Sequence, residues 1–363
     1  MSIPSDNLAL AQLAADLKRW GSALGFQQIG ISDTHLEADE AYLQRWLAAG
    51  RHGEMAYMAR HGGKRSRPAE LMPETVRIIS VRMDYLPPAG QDPRKVLADP
   101  QLAYISRYAL GRDYHKVLRQ RLRQLAWRIE SAIGPFSWRV FTDSAPVLEK
   151  ALAQKAGLGW IGKHSNLLDR KAGSWFFLGE IFVDIPLPVD AAGAGHCGRC
   201  LACLEACPTR AIVAPYQVDA RRCISYHTIE LPGSIPLEFR RPLGNRIYGC
   251  DDCQLVCPWN RFACPTPEAE FLPRHGLDAG RLIDLFAWSE TEFLTRTEGS
   301  AIRRIGHQRW LRNIAVALGN APPSPSVAAA LNSRLAHPAE LVREHVQWAL
   351  AAPAVKAGSE CSC

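Results

Sequence analysis

Leu10, Leu13, Leu17 and Trp20 recur at helical spacing behind Ser5 or Asp6 as an N-cap, so residues 6–20 read as an amphipathic helix that stops at Gly21. The run from Val76 to Tyr85 is instead rich in β-branched residues and bounded by Pro73 and by Pro87-Pro88, the pattern of a largely buried strand. Trp138–Phe141 and Trp175–Val183 read as two further strands, with a helix over Ala145–Ala156 closed by Gly157. Residues 1–190 therefore read as an α/β domain. Small residues from Val189 to His196 mark one boundary and Pro265-Thr-Pro a second, which leaves a middle domain at 191–266. From 267 to 352 the pattern is helical. Residues 301–319 and 326–352 carry it, and Trp310–Leu318 and Leu341–Leu350 look like equivalent helices of two stacked helical pairs. The tail, 353–363, is small and polar and is expected to be disordered.

Charge changes this picture little: 43 Lys and Arg against 36 Asp and Glu give a formal +7, a modest surplus that suits a polyanionic partner. Arg303, Arg304, His307, Arg309 and Arg312 form a basic cluster on the repeat-like region, where nucleic acid could lie. No run of 18 apolar residues and no secretory signal is present, so the expectation is a cytoplasmic protein with no membrane contact. In that reducing compartment dense cysteines point to metal rather than to disulfides, and nine of the 11 lie between Cys197 and Cys264.

Cys197-x2-Cys200-x2-Cys203-x3-Cys207-Pro208 reproduces the bacterial ferredoxin run, in which three thiolates hold one 4Fe–4S cube and the fourth reaches a second cube. A second run, Cys250-x2-Cys253-x3-Cys257-Pro258, lacks one cysteine, and Cys223 stands between the two. The crossed-ligand rule assigns Cys197, Cys200, Cys203 and Cys257 to cluster one, and Cys207, Cys223, Cys250 and Cys253 to cluster two. A pair of zinc knuckles would strand four of these cysteines and is disfavoured. Cys264, Cys361 and Cys363 read as free thiols.

Gly157-Leu-Gly159-Trp-Ile-Gly162 matches G-x-G-x-x-G, but it follows a helix rather than a strand, so a dinucleotide is disfavoured and close approach to another bulky cofactor is expected. Asp143 stands at the end of a strand, where it could serve either as a site carboxylate or as the N-cap of the following helix. The segment Tyr104–His115 is dense in aromatic and hydrogen-bonding groups, and an ordinary polar loop is its plain alternative.

Taken together, these stretches resemble the cobalamin-dependent epoxyqueuosine reductases, which act on tRNA in the last step of queuosine synthesis. The likeness runs through Phe141-Thr-Asp-Ser-Ala-Pro-Val-Leu-Glu, Ala156-Gly-Leu-Gly-Trp-Ile-Gly-Lys-His-Ser, Gly173-Ser-Trp-Phe-Phe-Leu-Gly-Glu, both cysteine runs, Cys223-Ile-Ser-Tyr and Gly249-Cys-Asp-Asp-Cys-Gln. The resemblance implies base-off cobalamin in the N-terminal domain, a ferredoxin-like two-cluster domain and an all-α HEAT-like C-terminal domain that helps grip the anticodon stem-loop. It places the proton donor on Asp143 and cobalamin contacts around Arg65, Arg107, Tyr108, Lys163, Ser165 and Ser225. Partners would be the tRNA and a low-potential electron donor such as ferredoxin or flavodoxin, with the chain acting as a monomer. An ordinary Asp titrates near 3.9, so a donor role at pH 7 calls for burial to raise Asp143 by roughly three pH units. A corrinoid reductive dehalogenase and a non-catalytic electron carrier are the competing readings. The basic C-terminal helices weigh against the first, and the 190 residues before the cysteines against the second.

Overall fold

The structure, a computed structural model, describes residues 6–352 apart from Ala89, so the tail expected to be disordered, with Cys361 and Cys363, lies outside the described residues. Helix α1 (Asn7–Ala23) starts on Asp6, whose carboxylate accepts from the Leu8 amide, and buries Leu10, Leu13 and Leu17. It runs past the predicted stop. Gly21 lies inside the helix because a Cβ there would sit 1.9 Å from Ile29 Cδ1, so this glycine lets the next strand approach closely.

After α1 come β1 (Gln28–Ser32), α2 (Glu37–Ala48), β2 (Arg77–Asp84), α3 (Tyr114–Ile133), β3 (Trp138–Phe141), α4 (Glu149–Lys155) and β4 (Phe176–Val183). The sheet order is β1-β2-β4-β3 and every neighbouring pair is antiparallel. This corrects the α/β expectation in its strict sense. Alternating helix and strand patterns fix the kinds of element, whereas strand direction depends on the end of the sheet at which each long connection returns. Side chains of β2 and β4 alternate between two cores. Ile79, Val81, Met83, Ile181 and Val183 meet α1 and α3, while Ile78 and Phe182 meet α4. Helix α4 begins only at Glu149 and not at Ala145, since Pro146 and the turn it forms precede it.

The C-terminal region holds a three-to-ten turn at Ala301–Ile305, then α5 (Gly306–Asn320), α6 (Pro325–Asn332) and α7 (Glu340–Ala351). The two segments read as equivalent lie on α5 and α7, whose apolar faces meet through Trp310, Leu311, Ile314, Val342 and Val346. The single helical pattern over 326–352 is two helices, because Pro338 cannot continue a helix.

The linear boundaries at 190 and 266 are crossed in space. Ala103, Ile105 and Leu110 pack into the core around α5, as do Ile247 and Tyr248, and Phe271 returns to the core of the sheet. Strand residues Tyr104–Ile105 pair in parallel with Arg246–Tyr248. At the junction the fully buried Arg312 donates to the carbonyls of His227 (2.6 Å) and Leu231 (2.8 Å), and Asn313 donates to those of Thr228 and Ile247 (both 2.8 Å). The basic cluster read on this region is therefore partly internal, with Arg303 and Arg304 at the surface. Arg309 donates to the Ile305 and Ile229 carbonyls, His307 is buried, Arg304 pairs with Glu230, and Arg303 alone of the five is exposed without a hydrogen bond or ion pair shown.

Candidate active site beside the cysteine segment

Each cysteine run closes on a single helical turn, Ala202–Glu205 or Asp252–Leu255, and is followed by a proline that turns the chain away. The electrostatic neighbours of the thiols sort them into two sets. Cys203 is pushed up to about 11 by burial and then by Cys197, Cys257 and Cys200, and Cys257 is raised by burial and then by Cys197 and Cys200. Cys253 is raised by burial and then by Cys223, with Asp251, Cys207 and Cys203 also acting on it, Cys223 is raised by burial with Cys207 among its neighbours, and Cys250 likewise counts Cys223. This grouping is compatible with the quartets of the crossed-ligand rule, with Cys203 also reaching Cys253. The Lys163 amide donates to Cys197 Sγ (3.4 Å) and the Ala211 amide to Cys207 Sγ (3.2 Å), contacts that favour a thiolate over a thiol. Among the described residues no three His, Cys, Asp or Glu side chains converge closely enough to enclose a single ion. The ninth described cysteine, Cys264, is exposed.

The second set of cysteines lines a cleft. Cys207, Cys223, Cys250 and Cys253 border a cavity of about 460 Å³ with Tyr108, Ser165 and Ser225. Tyr108, Cys223 and Ser225 also border an adjoining cavity of about 250 Å³ that contains Asp143, His115 and Arg304. Asp143 in turn borders a third, of about 430 Å³, with Arg65, Tyr57 and Ser165. The structure thus brings Arg65, Tyr108, Asp143, Ser165 and Ser225 to one continuous opening.

Arg107 and Lys163 do not line these three cavities and hold other partners. The Arg107 amide is held by Asp251 Oδ2 (2.8 Å), and its guanidinium lies over Trp175 (5.9 Å) at a separate cavity beside Cys257. Lys163 Nζ donates to the Gly198 (2.8 Å) and Cys200 (2.9 Å) carbonyls and so ties the loop of the first cysteine run to the sheet domain. The glycine motif likewise serves the chain itself. A Cβ on Gly159 would lie 2.1 Å from the Leu168 carbonyl oxygen, and one on Gly162 would lie 2.6 Å from Leu168 Cδ1.

Asp143 caps no helix, since α4 starts six residues later without a side-chain cap. Its backbone is left-handed (φ 55°), a conformation Asp tolerates better than most residues, and Glu149 accepts a hydrogen bond from its amide. Asp143 Oδ2 accepts from Tyr114 Oη (2.5 Å) and from His115 Nε2 (3.2 Å), and His115 Nδ1 meets Asp113 Oδ1 at 2.7 Å. Burial raises the Asp143 carboxyl, but the hydrogen bonds from His115 and Tyr114 and the charge on His115 outweigh it and hold the group at about 2. The expected upward shift is therefore reversed. Burial lowers His115, yet Asp113 and Asp143 raise it to about 9, so an imidazolium faces a carboxylate at neutral pH. Behind them Glu149 is raised to about 7 by burial and by Asp143, and Glu180, fully buried on β4, is raised well above its ordinary range by burial and by Glu149.

Sequence reasoning missed Asp113, Tyr114, His115, Glu149 and Glu180 as parts of this site. Their signals were present, in the polar segment 104–115 and in the glutamates that close two of the quoted motifs. Nothing in their spacing tied them to Asp143.

For a corrin in this opening the fit is favourable on one observation of the structure: His164 Nδ1 accepts from the Asn166 amide (3.1 Å), leaving its buried Nε2 as a donor with no partner on the cavity wall. Such a donor suits the amide-fringed rim of that ring. No helix among the described residues is long and apolar enough to cross a membrane.

Comparison with known proteins gives a consistent picture. Residues 65–144 match a family model described as epoxyqueuosine reductase QueG, and residues 196–260 match one described as a 4Fe-4S double cluster binding domain. The chain is 64% identical over 350 residues to an epoxyqueuosine reductase of Pseudomonas aeruginosa, covering 95% of this chain and 97% of that one. Against the epoxyqueuosine reductase of Escherichia coli it is 61% identical, covering 96% and 91%. Among solved structures, an epoxyqueuosine reductase bound to an epoxyqueuosine-modified tRNA-Tyr stem loop aligns with a TM-score of 0.86 at 28% identity over 94% of this chain and 90% of that chain. A Bacillus subtilis epoxyqueuosine reductase with its catalytic loop swung out of the active site aligns with a TM-score of 0.83 at 28% identity, again over 94% and 90%.

Proposed function

The chain belongs to the epoxyqueuosine reductase family, and from that premise we propose that it reduces the epoxide of epoxyqueuosine in tRNA to the alkene of queuosine. The observation that carries this reading is the continuous cleft that joins the cluster-two cysteines to Asp143. Cys197, Cys200, Cys203 and Cys257 would hold one 4Fe–4S cluster, and Cys207, Cys223, Cys250 and Cys253 the other. Arg65, Tyr108, Ser165 and Ser225 would line a base-off cobalamin. When bound, these groups supply low-potential single electrons and a cobalt centre able to deliver them to a carbon–oxygen bond.

The remaining roles fall to side chains. Asp143 faces the cleft and would give a proton to the opening oxygen, and Tyr114, stacked on Phe177 with ring centroids 4.1 Å apart, fixes its carboxylate. An anticodon loop is already unpaired, so extruding its modified base into the cleft is cheap compared with opening a duplex. The working division is a catalytic domain over 1–190, a cluster domain over 191–266 and a HEAT-like helical domain over 267–352, acting in the cytoplasm as a monomer. A low-potential carrier such as ferredoxin or flavodoxin would supply the electrons.

The test is anaerobic reconstitution with iron, sulfide and cobalamin, then reduction and mass analysis of nucleosides from epoxyqueuosine-containing tRNA. Conversion to queuosine with about eight irons bound is the expected result. A protein that binds corrin and iron yet leaves the nucleoside untouched would overturn the substrate.

A further inference from the structure

Removing an epoxide oxygen as water and leaving a carbon–carbon double bond takes two electrons and two protons. The electrons come from the low-potential carrier of the proposed function, on which this inference rests. Asp143 can hold one proton at a time. In this pocket its carboxylate is the favoured form, so each proton it gives must first be delivered to it.

We propose that Asp113 and His115 form a relay that recharges Asp143 with a proton between transfers. The three groups make a continuous hydrogen-bonded line, with Asp113 Oδ1 2.7 Å from His115 Nδ1 and His115 Nε2 3.2 Å from Asp143 Oδ2. Asp113 fixes the ring so that Nε2 points at Asp143, and the same carboxylate oxygen accepts from the His115 amide (3.1 Å) at the start of α3. The ring also stacks on Tyr114, with centroids 4.1 Å apart. Tyr114 and His115 both engage Oδ2, and Oδ1 receives a hydrogen bond from neither.

The proton moves from His115 Nε2 to the Asp143 carboxylate, giving neutral imidazole and a neutral acid. The acid passes it to the substrate oxygen, and the imidazole regains one from water. Exposure suits these roles. The Asp143 side chain is 51% exposed, into the cleft that substrate would cover, whereas His115 is 17% exposed and Asp113 22%. With substrate over Asp143, His115 on the wall of the same cavity still touches Asp143 Oδ2.

The buried glutamates do not offer that path. Glu149 accepts from the Asp143 amide and so holds the backbone of the loop rather than the carboxyl. The titratable and charged groups around His115 are Asp113, Tyr114 and Lys116 on its own segment, Asp143 and Glu149 from the far side of β3, and Glu230, Tyr248 and Arg304 across the cavity. The two aspartates make hydrogen bonds to the ring and dominate its charge state.

The experiment is kcat against pH for the reconstituted holoenzyme, wild type, H115Q and D113N, with epoxyqueuosine-containing tRNA and excess chemical reductant. Asn keeps the N-cap of α3 and Gln keeps a donor, so both variants should fold. Iron and corrin content verify loading. Wild-type kcat should hold through neutral pH and fall above about pH 9. In D113N the fall should move down toward the ordinary histidine value of about 6.5. H115Q should lose about 10- to 100-fold at pH 8 and recover as pH drops. An equal loss at every pH, or none, would show that His115 only braces Asp143 and would overturn the relay. A wild type that leaves the nucleoside unchanged would instead count against the proposed function. NMR titration of His115 decides the relay even then, because an imidazole titrating near 6.5 in the wild type would sink it.

Discussion

Eight cysteines between Cys197 and Cys257 fall into two runs with gaps of two or three residues and a lone Cys223, the pattern from which two ligand quartets are proposed, whereas the groups around Asp143 come from positions 113–115, 143, 149, 180 and 304. In the first region the local chain builds most of the ligand geometry, and only Cys223 and the exchanged fourth ligands need the fold. In the second the partners of Asp143 other than Glu149 lie far away in sequence, and the charge state of Asp143 is set largely by His115, which stands 28 residues away. A locally built site announces its chemistry in its spacing. A site assembled across elements can even invert the chemistry expected of its central residue, as the low-titrating Asp143 shows.

The largest effect should come from breaking the locally built region. Cys253→Ala is expected to halve the iron bound per chain and abolish reductase activity, read by iron analysis and nucleoside mass spectrometry, while Cys264→Ala leaves both unchanged. If Cys253→Ala kept full iron, the assignment to cluster two would be wrong. Next comes Asp143→Asn, which should lower kcat by about 10²- to 10³-fold with iron and corrin still bound. Its loss is expected to be chemical rather than architectural, since Asn also tolerates the left-handed backbone at this position.

A third test separates architecture from chemistry. Arg312→Ala removes the buried guanidinium that donates to the carbonyls of His227 and Leu231, and should cost about 3–5 kcal/mol of stability, measured by denaturant unfolding. A loss under about 1 kcal/mol would mean that the cysteine segment and the helical region are held together elsewhere.

The smallest effect is expected at Glu180→Gln. Burial and Glu149 raise the Glu180 carboxyl well above its ordinary range, so the isosteric amide, which matches the neutral acid, should leave stability near pH 4 almost unchanged. A group raised in the folded state contributes stability that is present below its unfolded value and is lost as pH rises. The variant should therefore gain on the wild type as pH rises above the unfolded value of about 4.3, and a difference between the two that stays flat across that rise would contradict this.

Much of the fold was readable because burial imposes periodicity. The apolar spacing of α1 and the continuous apolar run of β2 stand in the chain whatever their neighbours, and both elements occur close to where the pattern put them. The stop assigned to Gly21 was wrong because a glycine that ends a helix and one that admits a strand look alike in sequence. Strand direction was illegible for a similar reason, as was the passage of Ala103–Leu110 into the helical core: both depend on where a connection returns. At the site, the cysteines and Asp143 stood out in the sequence as candidates, and the structure places Cys207, Cys223, Cys250, Cys253 and Asp143 on adjoining cavities. Neither spacing nor family likeness reveals that carbonyls of the first cysteine loop hold the Lys163 side chain or that Asp251 holds the Arg107 amide.

By itself, then, the sequence determined the thiolate framework, the principal helices and strands, and the family likeness, all of which rest on short-range spacing or on the identity of contiguous residues. Tertiary structure alone decided that the sheet is antiparallel, that Arg312 is an internal tie rather than an RNA contact, and that Asp143 is a carboxylate facing an imidazolium. Protonation follows the free energy of a charge among its neighbours, and those neighbours are fixed only when separate elements pack together.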